Sequence, residues 1–411
     1  MSETVTQVGQ GAIPTGIATR QTAGTPRALR HILCLDDFEE PARRMLPRPI
    51  YGFISGGVET NASREGNRAA FGELAFLPRV LLNTRARQQK TTLLGRSYDL
   101  PFGFPPMGGT ALAAYMGDIV LAKVAAELNT VMIQSGASLT TMEKVREVGP
   151  TAWFQAYLPG EPEIITPLVE RAQRTGFETL VLTVDVQVSA NRENNVRSGY
   201  SSPLKPTLRL GWDCMLRPRW LCGTFGRTLI NHGMPHLENL GYPRLPVVAN
   251  LERQGRTRDG LAWEHVELMR RIWKGKLVLK GVLAPQDVRI ARESGVDGIL
   301  VSNHGGRQLD GTVAPLRMLP AVASEAGNMA IMMDSGIRRG TDVLKALALG
   351  AHYVFVGRPF LYAAAIAGEA GVLHAARLLR EEISRDMAML GITSPAEMKP
   401  EYLVDSRGPI R

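Results

Sequence analysis

Eight short apolar runs recur from about residue 101 onward, and most are followed by a stretch with helical spacing. They fall at about 101–105 (PFGFP), 131–135 (VMIQS), 152–157 (AWFQAY), 180–185 (LVLTVD), 277–281 (LVLKG), 298–303 (GILVSN), 330–335 (AIMMDS) and 353–358 (YVFVGR). The runs stay apolar through their middles without a polar alternation, as strands buried on both faces do. Segments 118–128, 161–175 and 284–294 are rich in Ala, Leu, Glu and Arg at helix period. Eight strands alternating with helices predict an α/β protein, specifically a (β/α)8 TIM barrel. The competing doubly wound dinucleotide fold calls for G-x-G-x-x-G after its first strand, and that pattern is absent.

Outside the runs the chain divides further. Residues 1–28, rich in Thr, Gly, Gln and Ala, lack a basic start and an apolar core and read as a disordered tail, not a secretion signal. Residues 29–100 read as a helical and loop-rich extension. One or two short helices lie within 29–52, interrupted by Pro47 and Pro49, and a turn contains Phe53, Ser55, Gly56 and Gly57. The barrel is expected over 101–394, with a tail at 395–411. About ninety residues separate the fourth run from the fifth, where the other connections are far shorter. The excess, about 195–260, carries Trp212, Arg217, Arg219, Trp220, Phe225 and Arg227. A long insertion above a barrel mouth suits a lid or subunit contact, whereas basic residues among tryptophans suit peripheral membrane contact; both readings stay open.

Composition narrows the picture modestly. Hydrophobic residues make up 44% of the 411 and charged residues 21%, ordinary values for a globular protein. No apolar run is long enough to span a bilayer. Cys34, Cys214 and Cys222 are too widely spaced for a disulfide framework or a metal motif, so no metal site is expected and a reducing, cytoplasmic setting is. The net charge of +9 is compatible with anionic substrates, lipid or nucleic acid and does not choose among them; no nucleic-acid partner is expected.

The chemistry gathers where the runs end. The sixth breaks into SNHGGRQLDG, placing His304, a base that titrates near neutrality, three residues before Arg307, a planar fork for carboxylate or phosphate. The other ends offer Met107 and Gly108, Gln134 and Ser135, Gln155 and Tyr157, Thr183 and Asp185, Lys280, Asp334 with Gly336 and Arg338, and Gly357 with Arg358. Any one of these is most simply a capping group. Eight polar ends together call for a large ligand in the mouth. The last two fall where barrels commonly hold a phosphate, with glycine amides and Arg338 and Arg358 to neutralise it. The amides and hydroxyls of Gln134, Ser135, Gln155 and Thr183 suit the edge of a heteroaromatic ring. A phosphate at one side and a ring at the centre describe flavin mononucleotide (FMN).

The motifs SNHGGRQLDG, DSGIRRG, KALALGA and VGRP together resemble those of the FMN-dependent α-hydroxy-acid oxidase and dehydrogenase family, over about residues 30–405. The resemblance implies that His304 is the active-site base and Asp185 the carboxylate stabilising its imidazolium. It implies that Arg192 and Arg307 hold the substrate carboxylate, that Tyr157 lies near the reacting carbon, and that Lys280 lies beside the flavin where charge accumulates. Met107, Gly108, Ser135, Gln155, Thr183, Lys280, Ser302, Asp334, Gly336, Arg338, Gly357 and Arg358 would line the cofactor. Two substrate-side positions depart from the pattern: Phe53 stands where the family usually has a tyrosine, and Ala137 where a larger aromatic is common. Both favour a bulkier, mandelate-like (S)-2-hydroxy acid. Gly108 is the residue that accompanies dehydrogenase behaviour, with electrons passing to a quinone or other carrier in place of oxygen. RPRW and HGMP in the insertion resemble a membrane-binding segment of this family, implying peripheral contact with the inner face of the membrane. A homotetramer is expected on the same ground. Alternatives at this point are an oxygen-using oxidase, a family member that binds FMN without turnover, and a flavin-free aldolase with Lys280 as Schiff-base nucleophile.

Overall fold

The computed structural model describes residues 26–201, 205–240, 245–247 and 258–408. Most of the expected N-terminal tail and parts of the insertion therefore lie outside the described residues. Eight parallel strands build the centre: β1 (Phe102–Gly103), β2 (Ile133–Ser135), β3 (Trp153–Ala156), β4 (Thr179–Thr183), β5 (Lys276–Val282), β6 (Gly298–Val301), β7 (Ala330–Met333) and β8 (Tyr353–Phe355). Their order is β1-β8-β7-β6-β5-β4-β3-β2. A parallel bridge between Phe104 and Met132 joins the two ends, with Phe104 N donating to Val131 O at 2.8 Å and Ile133 N to Phe104 O at 2.9 Å. The sheet is thus a closed barrel, as the rhythm of apolar runs predicts.

Side chains alternate across each strand, and here both faces are dry. Ile133, Trp153, Val181, Val278, Leu300, Met332 and Phe355 fill the interior as one cluster. Their neighbours Phe154, Leu180, Leu182, Leu277, Leu279, Ile299 and Ile331 point outward into the helical layer. A hairpin of Thr91–Leu93 and Arg96–Tyr98 adds Leu93 and Tyr98 to the interior cluster. Tyr98 packs 5.9 Å from Tyr353, whose hydroxyl donates to Phe102 O at 2.7 Å. The base of the barrel is therefore filled, and the C-terminal end is left for chemistry.

Two local readings are corrected. The chain does break at Pro47, after a helix over Glu39–Met45, but Pro49 interrupts nothing: it lies in the first turn of a second helix, Arg48–Ser55, with Pro47 as N-cap, where a missing N–H costs nothing. Phe53 consequently sits on that helix and not in a turn; Gly56 is its C-cap. In the insertion, helices span Leu208–Met215 and Arg227–His232. Trp220 does not face outward: it is 4% exposed, donates Nε1–H to Leu112 O at 2.7 Å, and stacks on Phe225. It anchors the insertion to the barrel, while Leu208, Trp212, Met215, Leu216 and Ile230 are exposed. The C-terminal segment adds a strand, Leu403–Asp405, antiparallel to Leu74–Phe76.

Candidate active site

Beyond β6 the backbone does something only a few residues tolerate. His304, Gly305 and Gly306 all have positive φ, at 58°, 66° and 71°. For the histidine this is a strained conformation of the kind that persists where surroundings enforce it. Ser302 accepts the His304 amide at 3.0 Å and Ser335 the Gly305 amide at 3.0 Å. Gly306 is required sterically, because a Cβ there would lie 2.4 Å from Arg64 N. The loop is also tied outward by Asn303, which exchanges amide hydrogen bonds with Asn67 at 2.7 and 2.8 Å. Asp310 ties the loop to the start of the earlier helix Ala62–Gly72 by accepting from Ser63 N at 2.8 Å.

This strain aims the imidazole. His304 Nδ1 meets Asp185 Oδ1 at 2.9 Å, leaving Nε2 as its other nitrogen. The close approach of Asp185 depends on Gly281, where a Cβ would fall 2.5 Å from the Asp185 Cβ and Cγ. Burial lowers the His304 pKa, Asp185 pulls it up and Lys280 pushes it down; the net result is below the ordinary value. The carboxylate does raise the histidine's basicity, but desolvation outweighs it, which favours the neutral imidazole, the form able to accept a proton. Asp185 itself is held below its ordinary pKa: burial opposes ionisation, and His304 and Lys280 overcome it.

A register shift in β5 after Lys280 marks a bulge at that position. Lys280 is 3% exposed, donates to Ser302 Oγ at 2.9 Å and lies 3.4 Å from Asp334 Oδ2. Burial disfavours its charge, but Asp334 and Asp185 outweigh that and raise its pKa. A Schiff-base nucleophile must be a neutral amine. Asp334 and Asp185 favour the charged form of Lys280, which runs against that role.

Five arginines border the same cavity: Arg192, Arg258, Arg307, Arg338 and Arg358. Arg307 Nη1 donates to Gly56 O at 2.9 Å and its guanidinium lies 5.1 Å from the Phe53 ring centre. Arg192 Nε donates to Arg307 O at 3.1 Å. Arg338 lies 3.3 Å from Asp36. Arg358 reaches the carbonyls of Ile54, Gly56 and Gly305, each at 3.0 Å. Burial pushes the pKa values of Arg192, Arg307, Arg338 and Arg358 down, that of Arg358 to about 10, and Arg192 and Arg358 lower that of Arg307 further by repulsion. Guanidiniums stay protonated at neutral pH, so their destabilised charge creates a demand for anions. No carboxylate pairs with Arg192 or Arg307 among the described residues.

The cavity they enclose has a volume of about 870 Å³, at the upper end of small-molecule sites. Of the predicted residues it brings together Phe53, Met107, Gly108, Ala137, Tyr157, Arg192, Lys280, His304, Arg307, Asp334, Gly336, Arg338, Gly357 and Arg358 on its wall. Asp185, Ser135, Gln155, Thr183 and Ser302 do not form its surface and stand behind it. Burial raises the Tyr157 pKa, so its phenol keeps its proton. Gln155 Nε2 and Thr183 Oγ1 are buried and without a protein partner, and such groups ordinarily find one. Ser135 Oγ donates to Gln155 Oε1 at 3.2 Å, which fixes the amide orientation. Orphaned donors at one end and arginines with glycine amides at the other fit a flavin with a phosphate tail. Sequence reasoning picked out Ser335 at the end of the seventh run but missed Gln308, Tyr200 and Arg258 on this wall. Of these, only Gln308, inside the SNHGGRQLDG motif, carried a signal that pointed to it.

An arrangement of this kind is that of a flavin-dependent oxidoreductase. The chain belongs to the FMN-dependent dehydrogenase family, whose profile matches residues 42–405. It is 34% identical over 379 residues to the L-lactate oxidase of Lysinibacillus sphaericus, covering 92% of this chain and 94% of that protein. It is 33% identical to the (S)-mandelate dehydrogenase of Pseudomonas putida, covering 91% and 94%. The crystal structure of the monotopic membrane protein (S)-mandelate dehydrogenase superposes with a TM-score of 0.84 at 31% identity, covering 92% of this chain and all of that one. The protein is accordingly an FMN-dependent oxidoreductase of the α-hydroxy-acid oxidase and dehydrogenase class. No helix among the described residues is long and apolar enough to cross a membrane.

Proposed function

We propose that the protein oxidises an (S)-2-hydroxy acid with a bulky, aromatic side chain to the 2-oxo acid and delivers the electrons to a quinone or similar carrier. The observation that carries this reading is His304, bonded to Asp185 at 2.9 Å, on one wall with two arginines that have no carboxylate partner among the described residues. Arg338 and the amides of Gly336 and Gly357 would hold the phosphate of FMN, with Arg358 completing the positive end. Gln155, Thr183, Ser135 and Lys280 would hold the ring edge, and Met107 and Gly108 would lie against its face. When bound, FMN supplies the two-electron acceptor that no side chain provides.

The chain's own residues do the rest. Arg192 and Arg307 bind the substrate carboxylate as a forked pair. His304 Nε2 takes the proton released on oxidation, and Asp185 stabilises the resulting imidazolium through Nδ1. Tyr157, still protonated, donates to the reacting oxygen. Lys280 holds a positive charge where negative charge builds on reduction. A preference for a large side chain follows from the small residues Ala137 and Gly108, which face each other, and from the apolar walls Leu139, Val188, Leu237 and Leu240.

Membrane contact is supported by the exposed Trp212, Met215, Leu216 and Ile230 on an insertion that also carries Arg209, Arg217 and Arg219. Apolar side chains beside cations suit an anionic lipid interface. An anaerobic panel of 2-hydroxy acids, scored by loss of visible flavin absorbance, tests the substrate assignment. (S)-Mandelate should bleach the protein faster than glycolate or L-lactate, and the reverse order would overturn the aromatic preference. Rapid recolouring by oxygen would overturn the assignment of the acceptor.

A further inference from the structure

The helix Glu193–Ser198 has Arg192 as its N-cap, and Gly199, at φ 85°, ends it in the left-handed conformation. The next residue, Tyr200, is fixed by its amide donating to Asn195 O at 2.8 Å. One short helix therefore places an arginine at its start and a tyrosine just past its end, both on the cavity wall. The helix packs closely on Arg48–Ser55, which carries Phe53; a Cβ on Gly52 would fall 2.3 Å from Ser198 Cβ. The outcome is a stack of Phe53 on Tyr200, centroids 4.5 Å apart and planes 21° apart. Phe53 in turn lies under the Arg307 guanidinium. Tyr200 shares the cavity wall with Arg192 and Arg307, and its phenol favours their charged forms.

We propose that the Tyr200 hydroxyl is the third donor to the substrate carboxylate, completing with Arg192 and Arg307 a subsite that Phe53 lines but has no atom to bond. This rests on the reading that the cavity turns over a 2-hydroxy acid. The two arginines supply charge and a planar fork, but their Nη1 and Nε atoms are partly committed to Gly56 and to the Arg307 carbonyl. A phenol stacked on Phe53 brings a further donor to the same wall of the cavity. The stack also holds the ring in one orientation, so little side-chain entropy is lost when the bond forms. Tyr200 is then a specificity-determining residue: its hydrogen bond is stronger to a carboxylate than to a neutral group.

The test compares the FMN-loaded full-length protein with Tyr200→Phe and with Tyr200→Phe combined with Phe53→Tyr. Tyr200→Phe keeps the ring, the stack and the packing, and removes one oxygen. Calorimetric titration with oxalate, a dicarboxylate that cannot be oxidised at this site, should show about a ten- to hundredfold weaker affinity, the range of a hydrogen bond to a charged group. KM for (S)-mandelate should rise in step while kcat is held. The double variant should recover most of the loss, because its new hydroxyl sits on the stacked partner ring. Oxalate affinity unchanged in Tyr200→Phe overturns the proposal, as does a loss confined to kcat. A loss that Phe53→Tyr fails to restore overturns it too. Failure of the parent reading looks different: wild-type protein would then stay unbleached by every hydroxy acid, whatever the oxalate comparison shows.

Discussion

Replacing Asp185 by Asn keeps nearly the same shape behind His304 and removes only the charge. The carboxylate meets Nδ1 at 2.9 Å, with side-chain exposures of 16% for the histidine and 12% for the aspartate. A hydrogen bond to a charged group is worth about 1.5–3 kcal/mol net. Much of that is realised only once the imidazole has taken its proton, so the loss falls on the transition state. At about 1.4 kcal/mol per decade, flavin reduction should slow by roughly ten- to 150-fold. The pH dependence carries a second sign. His304 must be neutral to act, so the rate falls as pH drops through its pKa, which burial already holds below the ordinary 6.5. Asp185 is the group pulling that value up; without it the acidic limb of kcat/KM should move to still lower pH while the plateau drops. Anaerobic stopped-flow absorbance across the acid and neutral range reads both effects. A plateau within twofold of wild type, or a limb that moves to higher pH, would refute this account of the pair.

Two further outcomes follow from the same geometry. Lys280→Met leaves the Asp334 carboxylate buried without the cation 3.4 Å away. The folded state should lose about 3–5 kcal/mol, read as a lower midpoint in urea, and the bound flavin should become harder to reduce; an unchanged midpoint and potential would refute the pairing. Trp212→Asp with Ile230→Asp should abolish co-flotation with anionic vesicles without slowing turnover of a soluble substrate with an artificial acceptor, and flotation equal to wild type would remove those residues from a membrane contact.

The barrel was legible because burial on both faces leaves a strong mark: strands with no polar interruption, each ending abruptly in chemistry. His304, Arg307 and Lys280 stood out for the same reason, as polar groups at the exits of apolar runs. What the sequence hid was direction. Pro49 looks like a breaker, yet a helix tolerates proline in its first turn, so Phe53 rides on a helix that the proline pattern disguises. Trp212 and Trp220 share a basic neighbourhood, but only the structure shows one exposed and the other bonded to Leu112. The positive φ of His304 has no compositional mark beyond the glycines after it. Tyr200 was invisible: it lies in a long insertion without periodicity, and its partners Phe53 and Arg307 come from far along the chain.

The central claim is that His304 takes the substrate proton in a flavin-bearing cavity. His304→Asn tests it most directly, since asparagine tolerates the left-handed backbone that this position demands. Both proteins, purified and kept anaerobic, are mixed with (S)-mandelate while the flavin absorbance is followed. The account predicts that both hold FMN, that wild type bleaches, and that the variant bleaches at least about a hundredfold more slowly. A variant that bleaches as fast as wild type, or a wild-type protein that holds no flavin, would contradict it.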